Sequence, residues 1–332
     1  MIDNLIPAGI LGVGSCLPDT NLTNFDLEKM IETSDEWIVR RTGISSRKVL
    51  KKDEPAYKLG IGASINAIKD AGLTPEDIDL IIVSTNSPDY LVPTTACLIQ
   101  KEIGAVNAAA FDFNAACSGF AYGLNLAQQY ISTGYYKHVL VVGCEGLSRV
   151  TDWEDRKTCI LFADGAGAVV MGQVEKGYGV IESVLGADAT LSDYATLPCN
   201  FIAPEDIECR EHENKRVLWL NGTGIMKFGI KAIVKSINDL LEKTGKSLDE
   251  ISYIIPHQAN IRIMDDAAKI LGISKDKMFA NIAENGNCSS ATIPIALDAM
   301  YKRGLLAKGD NIIMIGFGGG LTWAAALVKW SK

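Results

Sequence analysis

The sequence has no uncharged apolar run approaching the ~18 residues that a membrane-crossing helix needs, so no membrane span is expected. Its eight cysteines, at positions 16, 97, 117, 144, 159, 199, 209 and 288, include no CxxC pair and no Cys/His group at zinc-like spacing. A metal site is therefore not expected. Histidine is scarce, with three in the whole chain, which leaves little choice of imidazole for catalysis. Positive charge is also short: 32 Lys and Arg stand against 40 Asp and Glu, a net charge of −8. That balance argues against general nucleic-acid binding, which depends on a broad basic surface, but leaves room for a local basic patch. No Pro-, Gly- or Ser-rich linker divides the chain. Residues 1–18 carry no basic segment followed by a long apolar one, so no export signal is expected. Reduced thiols in a cytoplasmic protein follow from that expectation.

What is present is an ordinary globular balance over 332 residues, 48% apolar and 22% charged, enough for one large domain or two modest ones. Apolar, β-branched runs at 80–85 (LIIVST), 138–143 (HVLVVG), 166–171 (AGAVVM), 253–257 (YIIPH) and 311–316 (NIIMIG) alternate with helical patterns. Such runs predict strands buried on both faces in a layered α/β fold. The polar stretch from roughly Leu191 to Arg216 reads as a surface excursion.

An internal repeat sharpens the picture. KLGIGASINAIKDAGLTPEDIDLIIVST (58–85) and KFGIKAIVKSINDLLEKTGKSLDEISYIIPHQ (227–258) are each an amphipathic helix, a short acidic capping segment and an apolar strand. NAACSGFAYGLNLAQQYISTGYYKHVLVVG (114–143) and ENGNCSSATIPIALDAMYKRGLLAKGDNIIMIG (284–316) follow in the same order, each a tight turn, a helix, a loop and a strand. Two halves of like plan, 1–175 and 176–332, are the expected organisation.

Cys117 lies in FDFNAACSGF, after a strand-like run and at the start of a helical pattern. A thiol there faces free N–H groups and the positive helix end, both of which favour thiolate. The ordinary alternative is a buried thiol acting as a small hydrophobe. His257 ends a strand-like run, whereas His138 and His212 sit in charged surroundings. A histidine at a strand end is commonly structural, yet α/β folds place their sites at the carboxyl ends of strands. Asn287, in ENGNCSS, would alone be an N-cap or turn residue. In the repeat it falls in the turn equivalent to the one carrying Cys117, so the two are expected to be neighbours. GFGGGLTW (316–323) opens a strand rather than a helix, which suits an oxyanion-stabilising turn better than a dinucleotide fingerprint.

With these residues in place, the chain resembles the thiolase-fold condensing enzymes, and within them the β-ketoacyl-acyl-carrier-protein synthase III family. TSDEWIVRRTGI (33–44), AACSGF (115–120), FADGAGA (162–168), PHQANIRI (256–263), GNCSSATIP (286–294) and FGGGLTW (317–323) carry the resemblance across essentially the whole chain. It implies a duplicated α/β fold, two mixed five-stranded sheets in an αβαβα layered sandwich. It implies that Cys117 takes an acyl group from acyl-CoA, and that malonyl-acyl-carrier protein then loses CO₂ and attacks it. His257 and Asn287 would hydrogen-bond the malonyl thioester oxygen, and the N–H groups of Cys117 and Gly319 would form the oxyanion hole. Thr33, Trp37, Arg41, Arg156, Leu161, Phe162, Leu220, Thr223, Asn260 and Ile263 would bind the CoA substrate. Lys227 and Arg262 would meet the carrier protein, with Lys231 and Lys235 extending a positive stripe. Val92, Leu147, Ala195 and Leu218 would shape the acyl pocket. No cofactor is implied beyond the coenzyme A thioester substrate, and a homodimer with Val92 near the partner's pocket is implied.

Departures from the family pattern are Lys157 after Arg156, Cys288 where Thr is usual, and small residues at Val92 and Ala195. The last pair implies a roomier acyl pocket suited to branched or longer primers. Thiolases place a second cysteine where Gly316 stands, and hydroxymethylglutaryl-CoA synthases a glutamate where Asn86 stands. Condensing enzymes of alkylquinolone or polyketide type share the same three residues and stay open. A Cys–His–Asn hydrolase of papain type is the reading from another class, but its CGSCW-like context is missing. A nicotinamide oxidoreductase would rest on the glycine run alone.

Overall fold

The computed structural model describes residues 5–199 and 216–332. In chain order the first elements are β1 (Ala8–Cys16), β2 (Asn21–Thr23), α1 (Asn24–Leu27), α2 (Asp35–Thr42), β3 (Ser46–Lys48) and α3 (Tyr57–Asp70). They are followed by β4 (Leu80–Ser84), α4 (Thr95–Ile103), β5 (Ala109–Phe113), α5 (Gly119–Ser132), β6 (Val139–Gly146) and β7 (Asp164–Gln173). The path continues through β8 (Gly179–Ala187), β9 (Ala195–Thr196), β10 (Trp219–Leu220), α6 (Gly222–Thr244), β11 (Tyr253–Pro256) and α7 (Ile261–Leu271). It closes with α8 (Ile282–Asn285), α9 (Thr292–Lys302), β12 (Asn311–Gly318) and β13 (Thr322–Lys329).

The apolar runs become strands because both of their faces are covered. In β4 and β6, Leu80, Ile82, Val139 and Val141 face one core, while Ile81, Val83, Leu140 and Val142 face another. The first sheet has the order β1-β7-β6-β4-β5. Its β4 is parallel to β5 and β6, and β7 is antiparallel to β6 and β1. The second sheet has the order β11-β12-β13-β8, with β11 parallel to β12 and the other pairs antiparallel.

The two orders are the same apart from one strand, and here the five-stranded expectation needs correcting. Among the described residues the second sheet has four strands. Where a counterpart of β5 would lie, there is a single parallel bridge between Ile254 and Met278, with the Phe279 N–H donating to the Ile254 carbonyl at 2.9 Å. The segment SKDKMFA (274–280) is mostly polar and turns after one ladder position, too little to propagate a strand.

The layers are otherwise as the resemblance implies. Helices α5 and α9 lie between the sheets, where Phe120, Leu124, Ile293 and Leu297 share one core with the inner faces of both. Helices α3 and α4 cover the outer face of the first sheet, and α6 and α7 that of the second. Strand β1 was not among the runs picked out from sequence, since glycines interrupt it. Those glycines bring α3 close: a Cβ at Gly12 would lie 2.2 Å from the Ala67 carbonyl oxygen. The stretch expected as a surface excursion lies in part, from 200 to 215 with Cys209 and His212, outside the described residues. Within its described part, β9 pairs with β10 just beyond it, and Ala195 and Leu220 line a cavity between the halves.

The duplication is most exact at two turns. Ala116–Ser118 and Ser289–Ala291 each form a single 3-10 turn ahead of α5 and α9. Each holds a non-glycine residue at φ +47°, Ala116 in one and Ser289 in the other, a left-handed conformation costing roughly 1–2 kcal/mol. Each turn sits on a glycine of the other sheet. A Cβ at Gly316 in β12 would lie 2.6 Å from Ser118 Cα, and one at Gly143 in β6 would lie 2.8 Å from the Ser290 carbonyl oxygen. Backbone atoms cannot swing away as side-chain tips can. Gly316→Ala is therefore expected to lower stability by about 2 kcal/mol, the middle of the overpacking range, as measured by urea denaturation. Gly222→Ala, whose added methyl meets nothing within 4 Å, is the control expected not to lower it.

Candidate active site

Cys117 sits in the first of these turns, above Gly318 of β12; a Cβ at Gly318 would come 2.8 Å from Cys117 Cβ and N. The thiol is at the floor of a cavity of about 330 Å³ whose wall also holds His257, Asn287, Gly319 and Ser289. Burial pushes the thiol up to about 12, a hydrogen bond with the Ser289 hydroxyl opposes that rise, and the nearby Glu145 carboxylate adds to it. This differs from the thiolate expected of a helix start. Cys117 precedes α5 by a turn, and loss of solvent outweighs what a helix end supplies. Desolvation thus favours the thiol form of a side chain that is half-buried in the cavity wall.

His257 follows β11, which sets it beside β12: its N–H donates to the Ile315 carbonyl at 2.7 Å. The ring is buried, meets Phe317 edge to face at 5.2 Å, and holds the Thr292 hydroxyl at 2.7 Å through Nδ1. Burial lowers its pKa to about 3, opposed by the Ser289 carbonyl, so the imidazole is neutral. Asn287 is clamped by backbone bonds to the segment between β6 and β7: its N–H donates to the Leu161 carbonyl and its carbonyl accepts from the Ala163 N–H, at 2.9 and 3.0 Å. Its side-chain oxygen accepts the Ser289 N–H at 2.8 Å, which leaves its NH₂ to donate into the cavity.

Glu145, at the end of β6, was not singled out from sequence. Buried under the second turn, it accepts from the hydroxyls of Ser87 and Ser290 at 2.6 and 2.9 Å and from the Asn86 N–H at 3.2 Å. Burial raises its pKa, and these donors oppose the rise. Ser290 holds the position in its turn that Cys117 holds in the other. One turn thus carries the nucleophile, and its twin is anchored to a carboxylate. Ser289 and Thr292 were also missed, although both lie within the GNCSSATIP motif. Small polar residues in a helix-start motif read as caps until their partners are known.

A second cavity, about 620 Å³, opens to the surface and shares Leu220, Ile225, Ala259 and Asn287 with the first. Trp37, Arg41, Arg156, Leu161, Thr223, Asn260 and Ile263 line it, with Lys157 at its wall. The Arg156 guanidinium lies over the Trp37 ring at 4.8 Å and that of Arg41 at 5.9 Å, contacts of cation–π type. Asn260 caps α7 and donates to the Arg41 carbonyl at 3.1 Å. Leu147, Phe162, Ala195 and Leu218 are found around the Cys117 cavity. Thr33 lines neither cavity, and its hydroxyl is buried without a hydrogen-bond partner. Val92 is also away from both and is 86% exposed. Lys227 and Arg262 are exposed on α6 and α7. Cys288 is buried, with its Sγ facing the Asn285 carbonyl at 3.6 Å.

A half-buried thiol, a neutral imidazole and a carboxamide at the meeting point of two duplicated α/β halves define the thiolase-like condensing class. Comparison with known proteins narrows the class. The family model described as 3-Oxoacyl-[acyl-carrier-protein (ACP)] synthase III matches residues 111–189, and the model of its C terminal part matches 241–330. The chain is 48% identical to the Beta-ketoacyl-[acyl-carrier-protein] synthase III of Caldanaerobacter subterraneus subsp. tengcongensis, over 98% of this chain and 99% of that one. It is 48% identical to the protein of the same name from Clostridium acetobutylicum, over 97% and 98%. The crystal structure of 3-oxoacyl-[acyl-carrier-protein] synthase III from Aquifex aeolicus VF5 superposes with a TM-score of 0.90 at 41% identity, covering 97% of this chain and all of that one. The chain belongs to the 3-oxoacyl-[acyl-carrier-protein] synthase III family. It is a condensing acyltransferase of fatty acid synthesis, and neither the hydrolase nor the specialised-pathway alternative is favoured.

The neutral His257 has a consequence for pH. An imidazole that ionised in the catalytic range would give an inflection near its ordinary 6.5; with the folded value near 3, CO₂ release from malonyl-carrier protein is expected to show none. For stability the sign is opposite to that of a salt-bridged histidine. Between 6.5 and 3 the unfolded chain takes up a proton that the folded ring refuses, so this contribution is full above 6.5 and is lost on acidification. CO₂ release from malonyl-carrier protein and urea denaturation across pH 5–8 check both, with His257→Asn as the reference in the denaturation series.

Proposed function

We propose that the Cys117 sulfur attacks the thioester carbonyl of an acyl-CoA primer, that its proton leaves with the expelled CoA thiolate as the CoA thiol, and that Cys117 carries the acyl group while malonyl-acyl-carrier protein binds. The malonyl group then loses CO₂, and the resulting enolate carbon attacks the acyl carbonyl. The bond to Cys117 Sγ breaks, the β-ketoacyl carrier protein leaves, and the thiolate takes a proton from water. The observation that carries this reading is the cavity shared by Cys117, His257 and Asn287, in which every side chain is neutral. Decarboxylation itself supplies the carbanion, so the step needs hydrogen-bond donors at the thioester oxygen rather than a strong base. Asn287 NH₂ and His257 are those donors, and the N–H groups of Cys117 and Gly319 serve the acyl-transfer oxyanion.

The CoA adenine end is assigned to Trp37, Arg41 and Arg156 at the mouth of the outer cavity, with pantetheine running past Asn260 and Asn287 towards Cys117. Coenzyme A enters as the thioester substrate, and the reaction calls for no cofactor. Lys227, Lys231 and Arg262 are the steering charges for an acidic carrier protein. Lys235 contributes less to that stripe, since Asp239 already holds it at 2.5 Å. The working unit is proposed to be a cytoplasmic homodimer. Strand β5 is the outermost of its sheet, and Tyr90, Leu91 and Val92 beyond β4 are 55%, 67% and 86% exposed, an edge and apolar patch suited to a second copy. Val92 then reaches the partner's acyl pocket. Two structural halves, 1–175 and 176–332, are part of the proposal; it is supported by the passage of the chain from the first sheet to the second between β7 and β8.

Incubation with acyl-CoA is expected to add one acyl mass to the intact protein, and Cys117→Ala to abolish it. No adduct with any acyl-CoA would sink the assignment. Asn287→Ala is expected to keep the adduct but lose condensation by about 10²-fold, the typical effect of removing one such donor. Ala195 leaves room at the acyl end, so isobutyryl- or hexanoyl-CoA is expected to outperform acetyl-CoA with malonyl-carrier protein as extender. Equal or better turnover with acetyl-CoA overturns that specificity.

A further inference from the structure

A neutral imidazole carries one ring proton, and its chemistry depends on which nitrogen holds it. His257 Nδ1 faces the Thr292 hydroxyl at 2.7 Å, so Nε2 is the nitrogen left for substrate. If Nδ1 carried the proton, it would donate to Thr292 and Nε2 would be a bare lone pair, repelled by a thioester oxygen. If Thr292 donates to Nδ1, the proton must sit on Nε2, where it can stabilise a developing enolate. The hydroxyl therefore decides whether the ring can work.

Thr292 Oγ1 has one proton to give and two acceptors within reach, Nδ1 at 2.7 Å and the Ser289 carbonyl at 2.9 Å. The two acceptors are not equally needy. The Ser289 carbonyl already accepts the Thr292 backbone N–H, which closes the 3-10 turn. Among the described residues Nδ1 has no donor besides the hydroxyl. The Gln258 N–H donates to Thr292 Oγ1 at 3.3 Å, which uses an oxygen lone pair and turns the proton away from Gln258. A protonated Nδ1 donating to Oγ1, with the hydroxyl serving the Ser289 carbonyl, would satisfy the same groups, so it is the donor role assigned to His257 Nε2 that selects the arrangement with the hydroxyl proton on Nδ1. Thr292 itself is buried at the head of α9 and lines neither cavity.

We propose that Thr292 is a positioning residue that holds His257 as the Nε2–H tautomer, and that the decarboxylating half-reaction depends on it while acylation of Cys117 does not. This rests on the assignment of His257 as a donor to the malonyl thioester. Acylation needs the thiol and the Cys117 and Gly319 N–H groups, none of which touches Thr292.

The test compares Thr292→Val, Thr292→Ser and wild type in three readouts. These are acyl-enzyme formation by intact mass, CO₂ release from malonyl-carrier protein, and ¹⁵N-histidine spectra, in which three imidazoles are easily separated. Valine keeps the shape but removes the hydroxyl, and the ring then turns its proton to the Ser289 carbonyl through Nδ1. Expected are unchanged acylation, CO₂ release down about 10²-fold and a His257 signal moved from Nε2–H to Nδ1–H, with serine restoring both. Valine that releases CO₂ at the wild-type rate, or retains the Nε2–H tautomer, overturns the proposal. So does an equal loss in both half-reactions, which marks a merely structural role. Failure of wild type to form an acyl-enzyme, or full CO₂ release by His257→Ala, would instead overturn the underlying assignment of the site.

Discussion

Everything in the site depends on two strained turns seated crosswise on three glycines. The turn with Cys117 rests on Gly316 and Gly318 of the second sheet, and its twin with Ser290 rests on Gly143 of the first. Left-handed backbone at Ala116 and Ser289 is unfavourable taken alone and persists only because packing from the opposite half leaves no alternative. The same crosswise seating brings Asn287 from one half and Cys117 from the other to a common cavity. A duplicated fold thereby supplies two helix starts at one point, and sequence divergence between them divides the labour. One carries the nucleophile; the other carries donors and is anchored to Glu145.

Burial at that meeting point determines the chemistry. Loss of solvent raises the Cys117 thiol and lowers the His257 imidazole, so the uncharged form of each is favoured. Charged catalysis would have to overcome the desolvation that assembled the site. A reaction that makes its own carbanion by losing CO₂ suits such surroundings, because fixed hydrogen-bond donors act most strongly where water is excluded. The one nearby carboxylate is kept behind the turn by serine and backbone donors, out of the substrate's path.

Much of this was legible in the sequence. The strands β4, β6, β7, β11 and β12 stood out because double-sided burial demands continuous apolar runs, and the repeat disclosed the duplicated plan. Cys117, His257, Asn287 and Gly319 were named from motif and context, and the structure brings all four to one cavity. Other features depend on partners distant in the chain. The fifth strand of the second sheet shrinks to one bridge at Met278, which no propensity of that polar segment could announce. Thr33 lies away from both cavities, since a motif position does not say which way a side chain points. The thiolate expected for Cys117 gives way to a thiol favoured by desolvation, because local helix context was visible and depth of burial was not.

The sequence by itself determined the layered, duplicated α/β plan, the family and the three side chains proposed to react, since periodicity and motif chemistry are local and written in order. The tertiary structure alone decided the charge state of those side chains, the crosswise seating of the turns and the roles of Glu145, Ser289 and Thr292. The physical reason is that desolvation and hydrogen-bond partnership belong to positions in space. Ser290 meets Glu145 across 145 residues of chain, and Thr292 meets His257 across 35.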